Sequence, residues 1–149
     1  MDDLSRLLAI EEIKQLKAKY IYGLDHRDWD LWRREVFAPD AELHVPEFRA
    51  EPFTPLDELI AYDSESTGDQ VSVHHVHMPT IELTSDTTAT AIWPMEDRLF
   101  RSKEMPLYDG STYLHGFGHY RERYVKLSQG WRIKSTQLTR LRVEMQKIF

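Results

Sequence analysis

Four segments after residue 70 constrain the fold of this chain more than any other feature. They cover residues 71–84, 87–100, 113–127 and 131–143, and they are rich in Thr, Val, Ile, Tyr and Trp, a composition typical of β-strands. Only short polar or glycine-containing stretches separate most of them. Long consecutive strands joined in this way predict a mostly antiparallel sheet in the second half of the chain.

The first part of the chain has a helical pattern. Between residues 4 and 24, Ile13, Leu16, Tyr20 and Leu24 recur at intervals of three and four, with charged residues between them. This spacing predicts an amphipathic helix with Tyr20 on its inward face.

A second, shorter helix is expected after Asp28, whose side chain is placed to cap it. This helix carries the large apolar residues Trp29, Trp32, Val36 and Phe37 and ends before Pro39. The two helices are predicted to form an angled pair.

A short edge strand and a third helix are predicted next. Residues 41–48 alternate weakly and contain a proline, which indicates an edge strand. Thr54, Pro55 and Asp57 then match an N-cap, a first helical position and the acidic residue of a capping box. The third helix is expected to end near Gly68.

These elements predict an α+β fold with the helices on one face of a strongly curved sheet. A curved sheet covered by helices forms a cone, and its hollow is the expected ligand site. The length of 149 residues fits a single domain, 1–149.

Composition excludes several classes of protein. The 19 Lys and Arg against 25 Asp and Glu give a net charge of −6, and the basic residues are scattered, so nucleic acid is not an expected partner. With no cysteine, a disulfide framework, a thiolate nucleophile and a cysteine-bound zinc are excluded. Residues 1–20 lack a signal-peptide core and no apolar run is long enough to span a membrane, so a soluble cytoplasmic protein is expected.

Three of the seven histidines fall within four positions, His74, His75 and His77. Histidine is the usual proton-transfer group at neutral pH and a frequent metal ligand. Strand alternation places His74 on one face and the other two on the opposite face. Three interpretations stay open here: a catalytic imidazole, a metal site of His75 and His77 with a third ligand, or histidines that only pack or lie on the surface.

Tyr20 and Asp25 are the polar candidates near the end of the first helix. On one regular helix they lie about 140° apart, so both can face a pocket only if the helix ends or bends between them. Gly23 is a position for such an interruption. Core packing for Tyr20 and a turn position for Asp25 are the alternatives.

The last two strands carry further candidates. Alternation puts Tyr120 on one face with Glu122 and Tyr124, where phenol groups can hold a polar substrate inside a hollow. An ordinary amphipathic strand has the same pattern. In the final strand, alternation does not decide whether Arg140 or Arg142 points inward.

Motifs spread over the chain resemble one family. They are EEIKQLKAKY at 11–20 with Asp25 five residues later, SVHHVHMP at 72–79, TAT at 88–90 leading to Trp93, EDRL at 96–99 and GWRI at 130–133. In order and spacing these motifs resemble the SnoaL-like group of the nuclear transport factor 2-like (NTF2-like) superfamily. Within this group the chain looks most like bile-acid 7-alpha-dehydratase and, more distantly, scytalone dehydratase and hexachlorocyclohexane dehydrochlorinase. The resemblance implies a cone-shaped α+β barrel.

The resemblance also implies an active site. The family's tyrosine and aspartate fall on Tyr20 and Asp25, and its catalytic strand histidine falls on His74. Substrate-binding positions fall on His77, Tyr108 and Arg140, and the strand pattern adds Tyr120. This list has seven residues and no metal ligand.

The implied reaction is the elimination of water from a cyclic, hydrophobic hydroxy-carbonyl compound. A neutral imidazole at His74 suits removal of a proton next to a carbonyl, with Asp25 fixing its tautomer and Tyr20 donating a hydrogen bond to the enolate or leaving oxygen. No metal or organic cofactor is required.

Two alternatives to the dehydratase stay open. An isomerase or cyclase can use the same pair of residues without losing water. A non-catalytic ligand-binding or assembly domain, like the small subunit of ring-hydroxylating dioxygenases, shares the superfamily fold. Dehydratases of this kind are usually trimers, so the resemblance implies a homotrimer.

Overall fold

The structure is a computed structural model that describes residues 1–148. Its helices are α1 (Asp3–His26), α2 (Trp29–Leu31), a π-helical turn (Trp32–Val36) and α3 (Leu56–Thr67). Its strands are β1 (Phe37–His44), β2 (Val71–Val76), β3 (Thr80–Leu83), β4 (Thr88–Phe100), β5 (Tyr113–Leu127) and β6 (Gly130–Gln146).

The strands form one curved sheet in the order β1-β6-β5-β4-β2, with β3 also paired to β4. The β1–β6 pair is parallel and the other pairs are antiparallel. The predicted α+β class and mostly antiparallel sheet are therefore confirmed. The sheet does not close into a barrel, since β1 and the β2 and β3 segments lie at opposite edges.

Helix α1 forms where the apolar spacing predicts it. Asp2 caps its first turn by accepting a hydrogen bond from the Ser5 main-chain nitrogen at 2.7 Å. The helix continues to His26, so the interruption expected at Gly23 is absent. A Cβ at Gly23 would lie 2.6 Å from the Trp32 indole. Gly23 therefore allows the two segments to pack closely.

The second and third helices differ from prediction at their ends. Asp28 caps α2 as expected, accepting from the Leu31 main-chain nitrogen at 3.0 Å. Phe37, predicted in this helix, is the first residue of β1 instead. The N-cap of α3 is Pro55, with no side-chain cap, so the capping role predicted for Thr54 is wrong.

The predicted strand at 71–84 is divided into β2 and β3. The division includes Pro79, and the main-chain nitrogen of His77 donates to the carbonyl of Pro94 on β4 at 2.8 Å. Neither proline has an amide hydrogen, so neither can donate to the ladder, and regular pairing stops between the two segments. His77 therefore follows the end of β2.

The core lies between α1 and the concave face of the sheet. Tyr20 is 3% exposed and stacks on Trp32 with ring centroids 5.2 Å apart. The Tyr20 ring also makes edge-to-face contacts with Phe37 and Tyr120, with ring centroids 5.6 and 5.7 Å apart. Such aromatic packing favours a single arrangement of α1 on the sheet. In the described part of the chain, no helix is long and apolar enough to cross a membrane.

Candidate active site

A cavity of about 250 Å³ lies between α1, α3 and the concave face of the sheet. Its apolar wall consists of Leu24, Leu43, Val45, Leu99 and Leu138. Its polar and ionisable groups include Tyr20, Asp63, His74, Asp97, Arg101, Tyr120 and Arg140. An apolar pocket with a few converging polar groups is the usual form of a small-molecule site.

His74 is joined to Asp25 at one side of this cavity. The Nδ1 atom of His74 lies 2.6 Å from Oδ1 of Asp25, and the His74 main-chain nitrogen donates to Oδ2 at 3.0 Å. The Ser72 hydroxyl also donates to Oδ1, at 2.9 Å. Burial opposes ionisation of Asp25, but these hydrogen bonds, chiefly those from His74, hold its pKa below the usual value.

The two candidates on α1 reach the site in different ways. Tyr20 lines the cavity directly, whereas Asp25 lies on the outer side of His74. Because Asp25 contacts the imidazole from behind, it does not need to face the cavity. Tyr20 and Asp25 can therefore both reach the site from one regular helix, although their side chains point in different directions around its axis.

The other ring nitrogen of His74 lies beside a second aspartate. Nε2 is 3.7 Å from Oδ2 of Asp97, which exceeds hydrogen-bond distance. Asp97 is held by Arg140 through two hydrogen bonds of 2.8 and 2.7 Å, a bidentate ion pair. Burial opposes the charge on Arg140, but Asp97 raises the pKa of the guanidinium, so Arg140 stays charged.

The Asp97–Arg140 pair crosses β5 at a glycine. A Cβ on Gly116 would lie 1.7 Å from Nη1 of Arg140 and 2.4 Å from Oδ1 of Asp97. Only a residue without a side chain leaves room for the two groups to meet there. Register also shifts near this point, with Phe117 paired to Arg142 and Gly118 paired to Arg140. Arg140 lines the cavity, whereas the Arg142 side chain is 70% exposed.

Two tyrosines supply hydroxyl groups to the cavity. Tyr20 and Tyr120 are each 3% exposed and interact with one another. Burial raises the pKa of both phenols well above the ordinary value. They therefore remain protonated at neutral pH and can act as hydrogen-bond donors.

A buried charge network lies behind these tyrosines. The Lys17 ammonium contacts Glu122 at 2.8 Å, and both side chains are 0% exposed. Its Nζ lies 3.9 Å from the Tyr20 ring centroid and 3.6 Å from that of Tyr120. Burial lowers the pKa of Lys17 to about 8, although Glu122 favours the charged form. Glu122 also accepts a hydrogen bond from Tyr124 at 2.6 Å.

The structure brings together five of the seven residues that the sequence assigned to the site. They are Tyr20, Asp25, His74, Tyr120 and Arg140, with Asp25 one contact away from the cavity. His77 and Tyr108 do not line it: Nε2 of His77 lies 3.5 Å from Glu96, and Tyr108 is 89% exposed. Among residues 1–148, no group of three or more His, Asp or Glu side chains is arranged to hold a metal ion.

The sequence analysis gave no role to Asp97 and Asp63, two of the carboxylates that line the cavity, although both stand at inward positions of their elements. Asp97 occupies an inward position of β4, in line with buried Trp93 and Met95. Asp63 occupies the same stripe of α3 as Leu59 and Ile60. In each case an acidic residue interrupts an apolar pattern, which indicates a buried polar group that needs an explanation.

The fold and the cavity define a class of protein: a helix-covered, open curved sheet that holds a ligand-sized pocket on its concave face. The chain belongs to the SnoaL-like domain family, whose model matches residues 5–137. The predicted membership of the SnoaL-like group in the NTF2-like superfamily is thereby confirmed.

Solved structures of the same fold cover almost the whole chain. Kfla4162 from Kribbella flavida is 23% identical, with a TM-score of 0.84 and coverage of 93% of this chain and 95% of its own. A type 2 hexachlorocyclohexane dehydrochlorinase (LinA) is 14% identical, with a TM-score of 0.82 and coverage of 99% and 95%. A proposed scytalone dehydratase from Novosphingobium aromaticivorans is 21% identical, with a TM-score of 0.77 and coverage of 97% and 92%.

Proposed function

We propose that this protein is a cofactor-independent dehydratase that eliminates water from a small cyclic hydroxy-carbonyl compound. One observation carries the proposal: His74 lines an apolar cavity while its Nδ1 atom is held by Asp25 at 2.6 Å. A base oriented in this way, with its second nitrogen free of a close partner, is what removal of a carbon-bound proton requires.

His74 is the proposed base. Asp25 accepts the Nδ1 proton, which leaves the lone pair on Nε2 to take a proton from the carbon next to the carbonyl. The C–H electron pair then forms an enolate. The C–O bond breaks with its electrons on oxygen, and the departing hydroxyl takes the proton from the His74 imidazolium, which gives water and the unsaturated product. Asp25 stabilises the imidazolium formed in this step.

Tyr20 and Tyr120 are the proposed hydrogen-bond donors to the enolate oxygen. Their raised pKa values keep them protonated, and their burial excludes the water that would weaken such a bond. Loss of one donor of this kind typically costs about 10²- to 10³-fold in rate.

The cavity favours a substrate of one or two rings. Its volume of about 250 Å³ falls below the roughly 300–1,000 Å³ of pockets that hold drug-sized ligands. Both terminal nitrogens of Arg140 are engaged by Asp97, so in this proposal Arg140 acts on the substrate through its charge and through Asp97.

The family and the structural neighbours support an elimination. LinA is named a dehydrochlorinase, and the loss of hydrogen chloride, like the loss of water, breaks a C–H bond and a bond to a leaving group. A neighbour proposed as a scytalone dehydratase has the same fold.

The test uses 3-hydroxy-1-tetralone, a bicyclic β-hydroxy ketone that yields fluorescent 1-naphthol when it loses water. The wild-type protein is expected to accelerate 1-naphthol formation, and His74→Gln to abolish it. His75→Gln changes an exposed neighbour on the same strand and should retain the activity. Equal rates for the wild type and His74→Gln would refute the proposal.

A further inference from the structure

Asp63 is an ionisable group of the cavity that the proposed steps leave without a role; Glu47 is another, but it is exposed. It lies on α3 and lines the same cavity as His74 and Tyr20. Its main-chain carbonyl accepts hydrogen bonds from the hydroxyls of Ser66 and Thr67. No hydrogen bond or ion pair within residues 1–148 ends on its carboxylate, and burial raises its pKa to about 7.

An unpartnered carboxyl group in an apolar cavity is costly to keep unless it is neutral or acts on a ligand. The apolar stripe of α3 would be better filled at this position by a leucine, since Leu59 and Ile60 occupy the preceding turn. Nothing else in the packing of α3 uses the Asp63 carboxyl. Its position on the cavity wall therefore points to contact with a bound molecule.

We propose that Asp63 is a second acid–base residue of this site, which protonates the leaving hydroxyl while His74 removes the proton next to the carbonyl. The inference rests on the proposed dehydratase function and replaces a reaction in which His74 performs both proton transfers. It makes Asp63 a catalytic residue that contacts the leaving group.

The proton and electron balance is complete without another reactant. The carbon-bound proton passes to Nε2 of His74, and the C–H electron pair becomes the new C=C bond. The C–O bond breaks with its electrons on oxygen, which takes the Asp63 proton and leaves as water. The Asp63 carboxylate and the His74 imidazolium that remain return to their starting forms by proton transfer through solvent.

Four other ionisable groups of the cavity are less suited to this role. Tyr20 and Tyr120 hold their protons too tightly to exchange them in each turnover. Both oxygens of Asp97 already accept hydrogen bonds from Arg140. Arg101 donates to the Gln70 side chain at 2.9 Å, and a guanidinium does not release a proton at neutral pH.

Three ketones that differ only in the substituent on the β-carbon allow the two proton transfers to be measured separately. 1-Tetralone has no leaving group, so exchange of its C2 protons in D₂O measures the base alone. 3-Fluoro-1-tetralone loses fluoride, which needs no proton. 3-Hydroxy-1-tetralone loses a hydroxyl that must be protonated, and both substituted ketones give 1-naphthol.

Asp63→Asn is expected to lower kcat/KM for the hydroxy ketone by about 10²- to 10⁴-fold, the usual contribution of a general acid. The same variant should keep proton exchange on 1-tetralone and fluoride elimination within about threefold of the wild type. His74→Gln should lose all three activities. Asp57→Asn, the same change at an exposed site on α3, serves as the matched control and should behave as the wild type.

Two kinds of failure can be told apart. If Asp63→Asn lowers all three rates equally, or leaves hydroxyl elimination unchanged, the role of Asp63 is refuted while the dehydratase proposal stands. If the wild type neither exchanges nor eliminates, the proposed function fails, and the role of Asp63 fails with it. Retained exchange by Asp63→Asn also shows that the variant is folded.

Discussion

The Nδ1 atom of His74 lies 2.6 Å from Oδ1 of Asp25, although the two residues are 49 positions apart in the chain. The same carboxylate accepts hydrogen bonds from the His74 main chain and from Ser72, so three donors fix its position. The last turn of α1 and strand β2 are thereby joined at the rim of the cavity.

We predict that Asp25→Asn lowers kcat for 3-hydroxy-1-tetralone by about 10²- to 10⁴-fold, because an amide cannot stabilise the imidazolium. KM should change little, since Asp25 lies outside the cavity. Asp30→Asn, a change at an exposed carboxylate that pairs with Arg34, provides the control. A kcat for Asp25→Asn close to that of the control would contradict the assignment.

The buried Lys17–Glu122 pair yields a prediction about stability. Lys17→Met should lower the free energy of unfolding by about 3–5 kcal/mol, because it leaves the Glu122 charge buried without its partner. The double variant Lys17→Met/Glu122→Gln should recover part of this loss. Urea unfolding measures all of these values.

A surface ion pair formed by another lysine of α1 gives the comparison. Lys19 contacts Glu35 at 2.7 Å, but the two side chains are 49% and 39% exposed. Lys19→Met should cost no more than about 1 kcal/mol. If Lys17→Met lowers the free energy of unfolding by no more than Lys19→Met does, the buried pair does not stabilise the protein as described.

The raised pKa of Asp63 predicts how stability depends on pH. Burial raises this pKa from 3.8 to about 7, so between these values the folded chain binds more protons at Asp63 than the unfolded chain. The contribution of Asp63 to the free energy of unfolding therefore falls as pH rises through this window, by at most about 1.4 kcal/mol per pH unit.

Asp63→Asn cannot ionise, so it should match the wild type near pH 4 and become progressively more stable than the wild type up to pH 7. Above that pH the difference should stay constant. Urea unfolding of both proteins at a series of pH values measures the difference. A difference that does not vary with pH would show that Asp63 titrates normally.

Gly116 yields a prediction about the Asp97–Arg140 pair. Gly116→Ala should destabilise the protein by about 1–3 kcal/mol, because the new methyl group would occupy the space of both side chains. Thermal unfolding measures the loss, and a crystal structure of the variant should show Arg140 displaced. Leu141→Ala, at a side chain on β6 that is 79% exposed, should stay within about 0.5 kcal/mol of the wild type. An unchanged melting temperature for Gly116→Ala would contradict the packing described here.

Much of the fold was predictable from local pattern. Strand β5 has the predicted limits, Tyr113–Leu127, and α1 buries the predicted stripe that contains Ile13 and Tyr20. His74 is inward on β2 and His75 is exposed, as alternation indicates. These features follow from the period of a helix or strand and from the side that each residue faces.

The predictions failed where neighbouring elements decide local structure. Gly23 matched a helix interruption, but α1 continues because the Trp32 indole packs against this position. The strand at 71–84 is divided where neither Pro79 nor Pro94, on the neighbouring strand β4, can donate to the ladder. In both cases the deciding residue belongs to another segment.

The sequence by itself determined the class of fold and the inward faces of its elements, and through family resemblance it indicated Tyr20, Asp25 and His74 as candidate site residues. Only the tertiary structure decided that Arg140 rather than Arg142 enters the cavity, since a register shift breaks the alternation of β6. It also decided that Arg140 engages Asp97 and that the Asp63 carboxyl, on the cavity wall, has no hydrogen-bond or ion-pair partner among residues 1–148. The physical reason is that periodicity in the sequence indicates which face of an element a side chain occupies. The partner of that side chain, its charge state and the space around it depend on segments that meet only when the chain folds.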